Sequence, residues 1–169
     1  MDNMLLAGAT MGFRRTGLSA GTTNTFTTTI DLHYTIKGQL YSAGALANYA
    51  GPSTDANTGL PFVPVGPNQA CVFLFTLDGS GTFAVATRVA QGTIVSLDGS
   101  TDGSGAGYAG RLSDFPSVPD GTCVYGWCVV KVGSGGAAWT FGTSNNSGVA
   151  NTAITFTAGA TVPDRPRSQ

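Results

Sequence analysis

Glutamate is absent from all 169 residues, histidine occurs once, and lysine and leucine are scarce. Those gaps remove most of the strong helix formers, and the acidic side chains that remain are all aspartates, which favour turns. One histidine without glutamate cannot supply a zinc ligand set or a serine or cysteine triad built from standard parts. Basic clusters are missing too, apart from Arg14-Arg15 and Arg165 with Arg167, and the net charge is −1. Nucleic-acid binding relies on clustered cations at phosphates, so direct nucleic-acid contact is not expected. The apolar run near Met1–Ala9 is short and lacks a positive flank, which fits neither a signal peptide nor a membrane span. Charged residues make up only 10% of the chain, against roughly a quarter in ordinary soluble domains. A surface so poor in charge is expected to be covered by protein, in an oligomer or a larger assembly.

What is present is glycine, threonine, serine and β-branched residues, a composition for strands and turns. Thr25 to Ile36 alternates, with Ile30, Leu32, Tyr34 and Ile36 on one face. Lys37-Gly38 predicts a turn, and Gln39 to Ala43 a return strand. The segment from Tyr49 to Asn68 is broken by Pro52, Pro61, Pro64 and Pro67 and predicts a long irregular surface loop. Ala70 to Leu77 is apolar on both faces, and Asp78-Gly79-Ser80-Gly81 turns it into a strand over Thr82 to Val89. Thr93 to Leu97 is a further short strand; the Leu77–Ser80 tetrapeptide recurs there as Leu97–Ser100, a shared strand-to-turn solution. A second Gly/Ser-rich loop covers 98–115, and Thr152 to Thr157 makes the last strand, with Ile154 and Phe156 inward.

The densest apolar stretch is Cys123 to Phe141, which holds both tryptophans. Its pattern predicts a hairpin: a strand through Val132, a reversal at Gly133–Gly136, and a return over Ala137 to Phe141. Strict alternation puts Val124, Cys128, Val130 and Val132 on one face, and Tyr125, Trp127 and Val129 on the other. By the same parity Cys123 and Cys128 point apart and do not bridge. With Cys71 they make an odd set, expected to be buried free thiols. The fold class is therefore all-β, an antiparallel β-sandwich or jelly-roll-like barrel of about eight strands. A domain over 25–157 would carry an extended N-terminal arm, 1–24, and a C-terminal tail, 158–169.

Candidate chemistry is thin. Gly105-Ala106-Gly107-Tyr108-Ala109-Gly110 matches the dinucleotide-binding glycine pattern, yet it lies in a loop and Pro116 closes off any following helix. Asp98-Gly99-Ser100-Thr101-Asp102-Gly103 resembles the start of a calcium loop, but Ala109 stands where a bidentate glutamate belongs. Aspartates 31, 55, 78, 98, 102, 114 and 120 could in principle form a glycosidase pair; nearly all adjoin glycine or proline, and turn formation explains them. Tyr125, Trp127 and Trp139 could stack on a sugar, with core or interface packing the favoured alternative. The Asn145-Asn146-Ser147 sequon has little meaning without a secretory signal. No catalytic, cofactor or metal residues are expected.

Five passages carry a resemblance. Pro116-Ser117-Val118-Pro119-Asp120-Gly121-Thr122 leads into Tyr125-Gly126-Trp127-Cys128-Val129-Val130-Lys131-Val132. Trp139-Thr140-Phe141-Gly142-Thr143 and Thr152-Ala153-Ile154-Thr155-Phe156 follow, and Tyr34 to Ser42 looks like the matching N-terminal strand pair. Together they resemble small virion proteins of tailed bacteriophages, of the head decoration or cement (head-fibre-like) kind. The chain departs from that pattern at Trp127-Cys128 and Trp139-Thr140, where isoleucine or valine is more usual.

The resemblance implies a non-enzymatic decoration protein on the capsid surface, assembled in the bacterial cytoplasm, with the major capsid protein as partner. It also implies a homo-oligomer, trimer favoured, and no membrane contact. The alternatives are a phage fibre or receptor-binding domain that recognises a host surface glycan and, last, a polysaccharide-active enzyme. Partner contacts are expected at Met4, Leu5, Leu6, Met11, Phe13, Arg14 and Arg15 in the arm. Pro61 and Phe62 in the first long loop and Tyr108 and Arg111 in the second complete the set.

Overall fold

A computed structural model describes residues 10–80, 88–97, 99–103 and 114–159. Eleven strands are defined among them, in three antiparallel sheets. β1 (Met11–Gly12), β4 (Leu32–Ile36) and β5 (Gln39–Ala43) form one sheet, with β4 in the middle. β2 (Ser19–Ala20), β3 (Thr25–Thr27) and β6 (Tyr49–Ala50) form a second, centred on β3. The third is the scaffold: β11 (Thr152–Ala158), β10 (Thr122–Val132), β7 (Gln69–Asp78) and β8 (Arg88–Gln91) in that order, with β9 (Val95–Ser96) also paired to β7. No sheet closes on itself among the described residues. The fold is all-β and sandwich-like, as the composition requires.

β7 and β10 are long and apolar because they are central strands covered on both faces. On the inner face Cys71, Phe73, Phe75 and Leu77 of β7 join Cys123, Tyr125, Cys128, Val130 and Val132 of β10. Opposite them stand Leu18, Phe26, Leu32, Tyr34 and Ile36 from the two small sheets and the segments beside them. The outer face is smaller: Ala70, Val72, Leu74 and Val124, with Phe115 laid over them and its ring 5.7 Å from Trp127 in an edge-on arrangement. Trp127 and Val129 remain half-buried there.

A β-bulge alters the parity expected for β10. Val124 pairs with Thr76 and Gly126 with Phe75, so Tyr125 is an extra residue with no partner of its own. The shift puts Cys123 and Tyr125 on the inner face with Cys128, and Val124 on the outer face with Trp127. Cys123 and Cys128 therefore share a face, contrary to strict alternation. The bulge needs glycine at 126, where a Cβ would stand 2.6 Å from Leu18 Cδ2 and 2.8 Å from Thr157 O.

The expected 123–141 hairpin does not form. The chain does reverse after Val132, but β11 occupies the place beside β10, and Trp139 pairs instead with Val65. The backbone amides of Val65 and Trp139 each donate to the other's carbonyl, at 2.8 and 2.9 Å. A second correction concerns the N-terminal arm. Over 10–24 it is tied to its own domain: β1 pairs β4, β2 pairs β3, and Leu18 is in the core. Short pairings of this kind hold a segment whose composition gives no sustained period. By contrast, the Gln39–Ala43 strand follows a two-residue turn in which Lys37 and Gly38 both have positive φ. The expected strand over Thr82 to Val89 is seen only from residue 88, as residues 81–87 lie outside the description.

Candidate functional site

The 51–68 loop departs most from its expected surface character. Its prolines and its own hydrogen bonds hold it in relief against the core. Asp55 N–H donates to Leu60 O at 2.8 Å, Gly59 N–H to Asp55 O at 2.8 Å, and Asn57 N–H to the Asp55 carboxylate at 2.9 Å. Phe62 and Val65 turn inward; the Phe62 ring lies 5.7 Å from Phe73 and 5.2 Å from Phe141. Leu60 and Val63 turn outward, 64% and 57% exposed, on either side of the exposed Pro61 and the buried Phe62. Val118, 41% exposed, is on the neighbouring 114–119 segment, which Asn57 Nδ2 grips by donating to Ser117 O at 2.9 Å. Leu60, Pro61 and Val63 thus present an apolar, proline-stiffened surface, with Val118 exposed on the neighbouring segment.

Of the residues expected to make partner contacts, Pro61 lies in this surface, whereas Phe62 is packed in the core of its own chain. Met11 is half-buried in β1, and Phe13, Arg14 and Arg15 are exposed just after it. Phe13 N–H donates to His33 O, which holds this group on the β1-β4-β5 sheet, whereas Pro61 lies in the 51–68 loop. Met4, Leu5, Leu6, Tyr108 and Arg111 lie outside the described residues, as do Asp98 and the 105–110 glycine pattern. Leu60, Val63 and Val118 were missed by sequence reasoning; the available signal was large apolar residues set among the prolines of a loop.

The chemical candidates come apart in space. Trp139 is buried with its indole N–H donating to Asn145 O at 2.7 Å, Tyr125 is buried on the inner face, and Trp127 is on the outer face. They form no common platform for a sugar. The aspartates serve local backbone: Asp31 accepts from Ala45 N–H, Asp55 from Asn57 N–H, and Asp78 from Ser80. Among the described residues no group of three or more histidine, cysteine, aspartate or glutamate side chains could hold a metal ion. His33 stands exposed on β4. In the sequon, Asn145 is exposed, while Asn146 is buried and donates through Nδ2 to Thr25 O.

Cys71, Cys123 and Cys128 are free and buried. Burial pushes the Cys71 and Cys123 thiols up to about 12, and raises Cys128 well above its ordinary value. Thiolate is the nucleophilic form, so all three are inert packing groups. Comparison with protein-family models finds no match, and searches of curated proteins and of solved structures find none either.

Proposed function

We propose that this chain is a non-enzymatic structural protein that binds the surface of a capsid and stabilises the shell, as decoration or cement proteins do. The supporting observation is the proline-stiffened apolar surface of Leu60, Pro61 and Val63, with Val118 exposed on the neighbouring segment, on a molecule with very few charges. A surface of this kind costs little entropy to dock because its backbone is already fixed. Burying it against a capsid subunit releases roughly 25 cal/mol per Å² of apolar area, and many copies raise the total resistance of the shell to rupture. The major capsid protein is the partner this reading names, and the virion surface is the location.

Quantitative densitometry of virion proteins tests the reading: decoration predicts hundreds of copies per particle, whereas a dozen or so would mean a fibre or receptor-binding role. The doubly substituted Leu60→Ser, Val63→Ser chain should keep its melting temperature but lose incorporation into shells. Full incorporation of that variant would overturn the assignment of the surface.

A further inference from the structure

The register of β11 on β10 decides which of its backbone groups are used. Gly159 N–H donates to Tyr125 O, and Gly133 N–H to Asn151 O. Both pairs lie on the same antiparallel register as Trp127–Thr157, Val129–Thr155 and Lys131–Ala153. Closely bonded and non-bonded pairs alternate along such a ladder. The odd-numbered residues of β11 therefore bond to β10, and the N–H and C=O groups of Ile154, Phe156 and Ala158 point away from it. β11 is the last strand of its sheet, and no hydrogen bond takes up these three pairs among the described residues.

The side chains agree with the backbone. Ile154, Phe156 and Ala158 rest against the core yet are only half-buried. Ile154 and Phe156 also line a cleft of about 280 Å³ between β11, Ala20 of β2 and the 146–149 segment. The strand reads Thr-Ala-Ile-Thr-Phe-Thr-Ala, with no charge, proline or bulge in seven residues. Natural sheet edges are usually blunted by one of those devices.

We infer that this edge pairs with the β11 edge of a second copy of the same chain. A strand that meets its own image about a two-fold axis runs antiparallel to it. A charge near its centre would lie opposite or diagonal to its own image across the axis, a penalty that an uncharged strand avoids. Centred on Phe156, the pairing sets Phe156 against Phe156 of the second copy and Ile154 against its Ala158. All three free pairs are then used, in three bonded residue pairs of two hydrogen bonds each. The half-exposed Ile154 and Phe156 side chains of both copies come together on the inner face, beside the cleft. The inference does not depend on what the loop surface binds.

Light scattering on the purified full chain at tens of micromolar should give about twice the 17.1 kDa of one chain. Ala158→Pro removes an amide that points outward, so the β10 ladder survives; it should give a folded monomer, with its far-UV spectrum unchanged. Thr155→Lys, which adds a charge at an exposed position of the strand, should weaken the dimer at least tenfold and provides the test if the proline variant fails to fold. A wild-type monomer, a dimer indifferent to both substitutions, or an edge that pairs only with a different protein would each overturn the inference.

Discussion

Beside β8, at one end of the five-stranded sheet, the 51–68 loop lies along the edge; at the other end β11 has no further ladder partner among the described residues. The β8 edge is four residues long, and the loop bonds to it at two points. Val89 O accepts from Ala56 N–H, and the Gln91 side chain acts as a strand would, donating to Val63 O and accepting from Val63 N–H at 2.9 Å. The same loop turns Phe62 inward to fix itself and Leu60 and Val63 outward. One edge is thus converted into a surface of side chains, the other left as a surface of backbone. The first suits recognition by shape, whereas the second accepts only an extended strand.

The largest way to break this contrast is to release the loop. Phe62→Ala should cost about 3–5 kcal/mol in urea unfolding, the usual price of emptying a buried aromatic site, and should expose the β8 edge so that the protein aggregates. Alkaline pH attacks the sheet beneath both edges. Cys71 and Cys123 ionise near 9 when unfolded and only near 12 when folded. Above pH 9 the unfolded chain has released protons that the native state retains, so stability is complete below pH 9 and falls as pH rises toward 12. Denaturant midpoints measured from pH 8 to 11 should decline steadily, and an aromatic disulfide reagent should label no thiol until the protein unfolds.

Gln91→Ala removes only the clamp on Val63 and should cost about 0.5–1.5 kcal/mol, since water can take up the exposed backbone groups of Val63. Its sharper signature should be faster amide exchange at Val63, with β7 unaffected. Thr155→Lys, at an exposed site on the open edge, should change unfolding stability by less than about 0.5 kcal/mol, so that its effect on self-association is read without a folding defect.

Strands whose signal lies in their own residues and turns were legible in the sequence. The Lys37-Gly38 reversal, the two-faced apolar run of β7 and the alternation of β11 all follow from local residue types. What was not legible depended on distant partners. Gly133–Gly136 is a sound turn signal, but the strand that takes the place beside β10 begins at Thr152, and Trp139 pairs with Val65 across the core. The bulge at Tyr125 adds one residue to a period of two, which inverts the faces of everything before it. The outward Leu60 and Val63 were hidden by a loop that composition alone assigns wholly to the surface. Whether a strand lies at a sheet edge is a property of strand order, so the open side of β11 has no signature in its own seven residues.

Residue-resolved amide hydrogen exchange across a concentration series tests the two-edge account most directly. Ile154, Phe156 and Ala158 should be protected at high concentration and exchange rapidly on dilution, while Val63, clamped by Gln91, should be equally protected throughout. Exchange at Ile154, Phe156 and Ala158 that is slow at every dilution, or fast at every concentration, would contradict it.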